Sequence, residues 1–164
     1  MKKYILYATI QVGYTEIFMR KIKMYTDGAC KGNPGAGGYA CILVFGEHEK
    51  VLSGGEAETT NNRMELSAVI AGLSALKEPC EVEICSDSKY VVSAINEGWL
   101  RSWIKNNWKK SDKKPVLNVD LWQKYIEASA PHTLKFIWVR GHNGHAYNER
   151  CDEIAVAEAE KFIK

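Results

Sequence analysis

Around Asn61 the hydrophobic pattern of this chain changes period, and no other feature restricts its architecture as much. Upstream, "IKMYTD", "GGYACILVFG" and "EKVLSGGEA" read as three consecutive strands, joined through a Gly/Asn/Pro cluster and through the residues from Gly46 to Glu49. Downstream, Leu66, Ile70, Leu73 and Leu76 recur at helical spacing, with Thr59 and Thr60 available as caps and Pro79 ending the pattern. The strand "CEVEICSD", the helix "SKYVVSAINEG", the helix "VDLWQKYIEAS", the strand "TLKFIWV" and the helix "NERCDEIAVAEAEKFI" follow. Hairpin-linked strands followed by alternating helices and strands imply an α/β fold, a mixed sheet with helices on its faces. With 164 residues, 46% of them hydrophobic, the chain has the size of one such domain and little room for a second.

Charge is unevenly placed. Arg101 to Lys114 holds six Lys or Arg and a single acid, Asp112, leaving 16 bases and 19 acids elsewhere, a net −3. A slightly acidic body with a basic arm points to a polyanionic partner held at one place and cations at another. In the arm, Trp99, Trp103 and Trp108 recur every four or five residues among the lysines, as on a helix with one tryptophan face; Trp103 and Trp108 are expected to pack within the arm.

The five cysteines are scattered, form no CxxC pair and fit a reduced, cytoplasmic protein. The leader "MKKYILYATIQVGYTEIF" has an apolar run interrupted by Thr9, Gln11 and Gly13 and no small-residue cleavage site, which argues against a signal peptide; no other segment is apolar enough to span a membrane. Residues 1–18 are expected to be an additional strand, a disordered tail or the product of an upstream start codon, since Met19 and Met24 could each begin a complete domain spanning 19–164.

In a sheet of this kind, side chains beyond strand ends and at helix starts converge on one crevice. Asp27 and Asp87 follow the first and fourth strands, while Glu65 and Asp152 lie early in the first and last helices. Each alone also fits an ordinary turn or helix-start acid. Brought together, four carboxylates would repel unless cations lay between them, and hard oxygen ligands suit Mg²⁺ or Mn²⁺. The turn "GACKGNPGAGG" matches neither GxGxxG nor GxxxxGK[ST], so a nucleotide-cofactor loop is not indicated.

The motifs "YTDGACKGNPGAGGYA", "TTNNRMEL", "SDSKYV", "KPVLNVDLW" and "WVRGHNGHAYNERCDEIA", in this order, resemble those of type 1 ribonuclease H in its bacterial form with a basic protrusion, from about Met24 to Glu158. The resemblance implies the ribonuclease H-like fold, a mixed five-stranded sheet flanked by helices, and endonucleolytic hydrolysis of the RNA strand of an RNA–DNA hybrid with two Mg²⁺ ions, or Mn²⁺ as their substitute, leaving 3′-hydroxyl and 5′-phosphate ends. It carries Asp27, Glu65, Asp87 and Asp152 over as metal-binding carboxylates and His142 as a loop histidine that delivers a proton or assists product release. Cys30, Asn33, Asn61 and Asn62 match minor-groove contacts, Thr60 a phosphate-pocket position, and Trp99, with Lys109, Lys110, Lys113 and Lys114, the channel and handle that grip the DNA strand. His145 is expected to support its loop, and His48 and His132 to be solvated. Lys89 departs from the family pattern, where glutamine is frequent. No obligate protein partner is implied, and a monomer is expected. The alternatives are a hybrid-binding module without catalysis, a related polynucleotidyl transferase, and a zinc-bound scaffold.

Overall fold

The computed structural model describes residues 6–9, 14–17, 19–141 and 145–164, the first two segments as backbone strands. These two, β1 (Leu6–Thr9) and β2 (Tyr14–Ile17), pair antiparallel with each other and form a sheet of their own. The main sheet has five strands: β3 (Arg20–Gly32), β4 (Gly35–Phe45), β5 (His48–Thr59), β6 (Cys80–Ser86) and β7 (Thr133–Trp138), in the order β5-β4-β3-β6-β7. β3, β4 and β5 run as an antiparallel meander, whereas β6 lies parallel to β3 and β7 parallel to β6.

Five helices flank this sheet among the described residues: α1 (Asn61–Ser74), α2 (Lys89–Asn96), α3 (Trp99–Lys105), α4 (Val119–Ser129) and α5 (Ala146–Glu160). Strand alternation sends Ile22, Met24, Val82 and Ile84 to one face, where they join Leu66, Val69 and Leu73 of α1 and Trp122 of α4 in the larger core. Tyr25, Ala40, Ile42 and Cys85 point the other way and pack on Cys151 and Ala155 of α5. The sequence therefore places a helix layer on each face, as its pattern predicts.

Two details differ from the sequence-based expectation. β3 does not end at Asp27; it runs on to Gly32, where Gly32 and Gly35 pair across the hairpin turn. Only the parallel pairing stops early: β6 accompanies β3 as far as Tyr25, opposite Cys85, so Asp27 lies just beyond the point where the two strands part. The three tryptophans of the arm also do not share one helix. α3 ends at Lys105, and Asn107 and Trp108 both take left-handed backbone, at φ 56° and 60°. For a bulky residue that conformation is costly. It is held by the Trp108 N–H donating to the Trp103 carbonyl at 2.7 Å and by packing of Trp108 on the larger core. Trp103 meets Trp122 edge-on at 5.8 Å, so it too packs into the body of the protein as well as against Trp99.

All five cysteines are free thiols, four of them buried. No helix among the described residues is long and apolar enough to cross a membrane.

Candidate active site

Asp27 and Glu65 come together because Gly28 has no side chain. A β-carbon at position 28 would sit 2.6 Å from the Met64 carbonyl carbon and collide with the Glu65 backbone as well, so β3 and α1 touch backbone to backbone here. Thr60 fixes the start of that helix, its hydroxyl accepting from the Arg63 N–H at 3.3 Å. Asp87 arrives from the end of β6, one residue before Ser88 caps α2. The end of β7 secures it: the Val139 N–H donates to the Ser86 carbonyl at 2.9 Å and the Trp138 indole to the Asp87 carbonyl at 3.1 Å. Gly141 then passes so close that a β-carbon there would lie 2.8 Å from Asp87 Oδ2.

One oxygen from each of Asp27, Glu65 and Asp87 lies within 4.8 Å of the others. Asp27 is 8% exposed and Glu65 4%. Burial, and then the charge of Asp87, push the Asp27 carboxyl up to about 7, although hydrogen bonds from Glu65 and from the Gly28 N–H at 2.8 Å work against the rise. Glu65 is raised well above its ordinary range, by burial first and then by Asp27 and Asp87. A side-chain hydrogen bond between the two raises Glu65 and lowers Asp27, while Glu65 Oε2 is buried with no partner. Asp152 stands outside this triad of close oxygens but lines the same crevice, and its charge also raises Asp27.

Carboxylates that cannot jointly ionise, together with an orphaned buried oxygen, are a donor set that divalent cations fit, and all of the donors are hard oxygens. Zinc-type thiolate ligation has no counterpart in this cluster. A larger concavity, about 540 Å³, opens over Lys21, Lys23, Glu81, Glu83 and Lys135. There the strand register sets Lys21 opposite Glu81 and Lys23 opposite Glu83, so the lining alternates in sign and gathers no cluster of like charge, and size does not mark the chemistry.

The residues expected to touch substrate fall into two groups. Asn33 Oδ1 accepts from the Asn61 N–H at 3.1 Å, and Cys30 Sγ lies 3.4 Å from the Thr59 carbonyl, so the β3–β4 turn and the start of α1 form one unit presenting Asn33, Thr60, Asn61 and Asn62. In the arm, Trp99 is 42% exposed. Beyond Trp108 the chain closes a tight loop through the bridge between Lys109 and Pro115 and the Lys110 N–H donating to Lys114 at 2.8 Å. Lys109, Lys110, Lys113 and Lys114 are all exposed on it, and Asp112 is turned to the Lys114 backbone N–H at 3.0 Å.

His142 lies outside the described residues. His145 is the N-cap residue of α5 and lines the crevice. His132, expected in solvent, is instead partly buried, with Nδ1 accepting from the Cys80 N–H at 3.1 Å, because its loop lies across the start of β6. Lys89 rests its ammonium 5.3 Å over the Trp138 ring, beside Asp87.

Sequence reasoning missed several residues. Asn118, in left-handed backbone, donates to the Tyr90 hydroxyl at 3.2 Å and accepts from Arg63 at 3.3 Å, while Arg63 grips Asp120 through both nitrogens at 2.7 and 3.0 Å. Arg140, Asn148 and Glu149 line the crevice. Asn148 was within reach, since it precedes Asp152 by one helical turn; the others owe their place to tertiary contacts.

A family model for RNase H matches residues 19–160. The ribonuclease H of Erythrobacter litoralis is 58% identical over 142 residues, covering 87% of this chain and 98% of that protein. The crystal structure of LC9-RNase H1, a type 1 RNase H with the type 2 active-site motif, matches with a TM-score of 0.79 at 29% identity, over 89% of this chain and 75% of that one. LC11-RNase H1, solved in complex with an RNA/DNA hybrid, matches with a TM-score of 0.61 at 26% identity, over 87% and 99% of the two chains. This chain belongs to the ribonuclease H family. It is accordingly an enzyme of the nuclease class, a phosphodiester hydrolase.

Proposed function

We propose that this protein cleaves the RNA strand of RNA–DNA hybrids endonucleolytically, by two-metal-ion catalysis, leaving 3′-hydroxyl and 5′-phosphate ends. The observation that carries this reading is the meeting of Asp87 with the buried Asp27 and Glu65 within 4.8 Å, which costs the fold stability and has a use if cations bind there. Asp27, Glu65, Asp87 and Asp152 would hold the ions, with Mg²⁺ or Mn²⁺ suited to the all-oxygen set. When bound, two such ions supply an activated water for attack at phosphorus and neutralise charge on the departing oxygen.

The chain's own residues do the positioning. Gly28 and Gly141 let backbone approach the carboxylates, so the substrate phosphate meets groups whose geometry is already set. The unit tied together by Asn33 and Asn61 offers carboxamides to a minor groove, where a 2′-hydroxyl distinguishes RNA from DNA. Cys30, Asn62 and Thr60 extend that surface. Trp99 and the four lysines grip the DNA strand by stacking and by release of counterions. His142 would move a proton or help product leave. The protein acts as a monomer in the cytoplasm, with the hybrid as its partner.

The test is an end-labelled RNA–DNA hybrid incubated in Mg²⁺ beside single-stranded RNA, duplex RNA and duplex DNA, with an Asp87→Asn variant and a chelator control. Cleavage of the hybrid's RNA alone, abolished by both controls, is expected. Tight binding without cleavage in Mg²⁺ and Mn²⁺ would overturn the reading in favour of a binding module, and strand transfer on duplex DNA in favour of a transferase.

A further inference from the structure

Asn148 stands in the first turn of α5, four residues before Asp152, so the two side chains share one face of the helix. Both line the crevice that holds Asp27 and Asp87. Asn148 Oδ1 is buried, yet no hydrogen-bond partner reaches it. Its surroundings explain why. Carboxylate oxygens are acceptors, as the amide oxygen itself is. Arg140 and His145 carry N–H groups and border the same crevice, but neither donates to it. The oxygen is therefore a buried acceptor on a residue that lines an acidic site, and no donor among the described residues reaches it.

A divalent cation changes that balance, because the water it polarises becomes a strong donor and an amide oxygen is a neutral, hard acceptor that adds no further negative charge. We propose that Asn148 is a positioning residue whose Oδ1 accepts a hydrogen bond from a water in the hydration shell of a divalent cation held by the neighbouring carboxylates. The inference rests on the cation reading of the site given above. It separates two jobs on one helix face: Asp152 contributes charge, and Asn148 orients water.

The experiment is a titration of substrate-free protein with Mg²⁺ alone, followed by thermal unfolding, for the wild type, Asn148→Ala, Asn148→Asp and Asp87→Asn. Removing an outer partner of this kind weakens metal affinity by roughly 10-fold or more. Asn148→Ala is thus expected to need about tenfold more Mg²⁺ for half of the stabilisation, with a metal-free Tm no lower than that of the wild type, because an unpartnered oxygen has been removed. Asn148→Asp keeps an acceptor oxygen and is expected to bind Mg²⁺ at least as well as the wild type. Equal Mg²⁺ dependence in wild type and Asn148→Ala overturns the role of Asn148 and leaves the cation site standing. A wild type that Mg²⁺ does not stabilise at any concentration, like Asp87→Asn, overturns the cation site itself. Should Asn148→Ala fail to fold, weakened Mg²⁺ binding in Asn148→Asp would overturn the proposal on its own.

Discussion

Gly28 and Glu65 touch backbone to backbone, and that contact sets the distance between the carboxylates of Asp27 and Glu65. A methyl group at position 28 has nowhere to go, since the obstructing atoms are the Met64–Glu65 backbone and the Met64 β-carbon, not the far end of a flexible side chain. Gly28→Ala is expected to cost about 1–3 kcal/mol of stability by overpacking. It should also lower kcat by as much as roughly 100-fold, because the helix must retreat from the cluster. Chemical denaturation and steady-state cleavage measure the two effects, and an unchanged kcat would show that the separation of strand and helix is not critical.

The buried acids make the metal-free protein sensitive to pH. The folded-state value for Asp27 is raised from 3.8 to about 7, mainly by burial and then by Asp87. A raised value means that the neutral carboxyl's contribution is fully present below about pH 3.8 and is lost as the pH rises through about 7. In chelator, Tm should therefore decline across this window, and Asp27→Asn should flatten the decline and raise Tm at pH 8 by at least about 3 °C. Mg²⁺ at about 100 times its Kd would restore roughly 2.7 kcal/mol to the wild type. A Tm of Asp27→Asn equal to or below that of the wild type at pH 8 would contradict the account.

His132 works in the opposite direction. Burial lowers its folded-state value below 6.5, and its Nδ1 must be unprotonated to accept from Cys80. That contribution is present above pH 6.5 and is lost as the pH falls through the lowered value. Replacement by Gln should remove a shallow acid-side loss of stability, visible in urea midpoints measured at pH 7 and pH 5. Identical midpoint differences in the two proteins would assign no role to His132.

Lys109, Lys110, Lys113 and Lys114 share one exposed loop closed by the Lys109–Pro115 bridge. Changing all four to alanine should raise KM for hybrid much more than it lowers kcat, and should flatten the dependence of log KM on log salt, because fewer counterions are released. A large fall in kcat at saturating hybrid with KM unchanged would place the loop in the chemistry instead.

Residues 1–18 precede the matched region, and β1 and β2 pair with each other apart from the five-stranded sheet. Their deletion is expected to leave kcat/KM intact. Loss of soluble protein would show that the domain needs them.

Much of this molecule was legible in the chain itself. The change of period near Asn61, the order of strands and helices, the four acids and the basic segment are all local patterns, and local patterns survive reading one residue at a time. What the sequence could not show depends on which distant atoms become neighbours. β3 runs past Asp27 because β4 pairs with it all the way to Gly32, whereas β6 leaves at Tyr25. Trp108 leaves the helical pattern because core packing outweighs its backbone preference. His132 acquires a partner from a strand start 52 residues away. Above all, Asp27, Glu65 and Asp87 are carboxylates by sequence, but their mutual repulsion, the burial of Asp27 and Glu65 and the raised pKa values of those two arise only when α1 closes on Gly28. Desolvation and electrostatic coupling are properties of the assembled site, so only the tertiary structure could decide them.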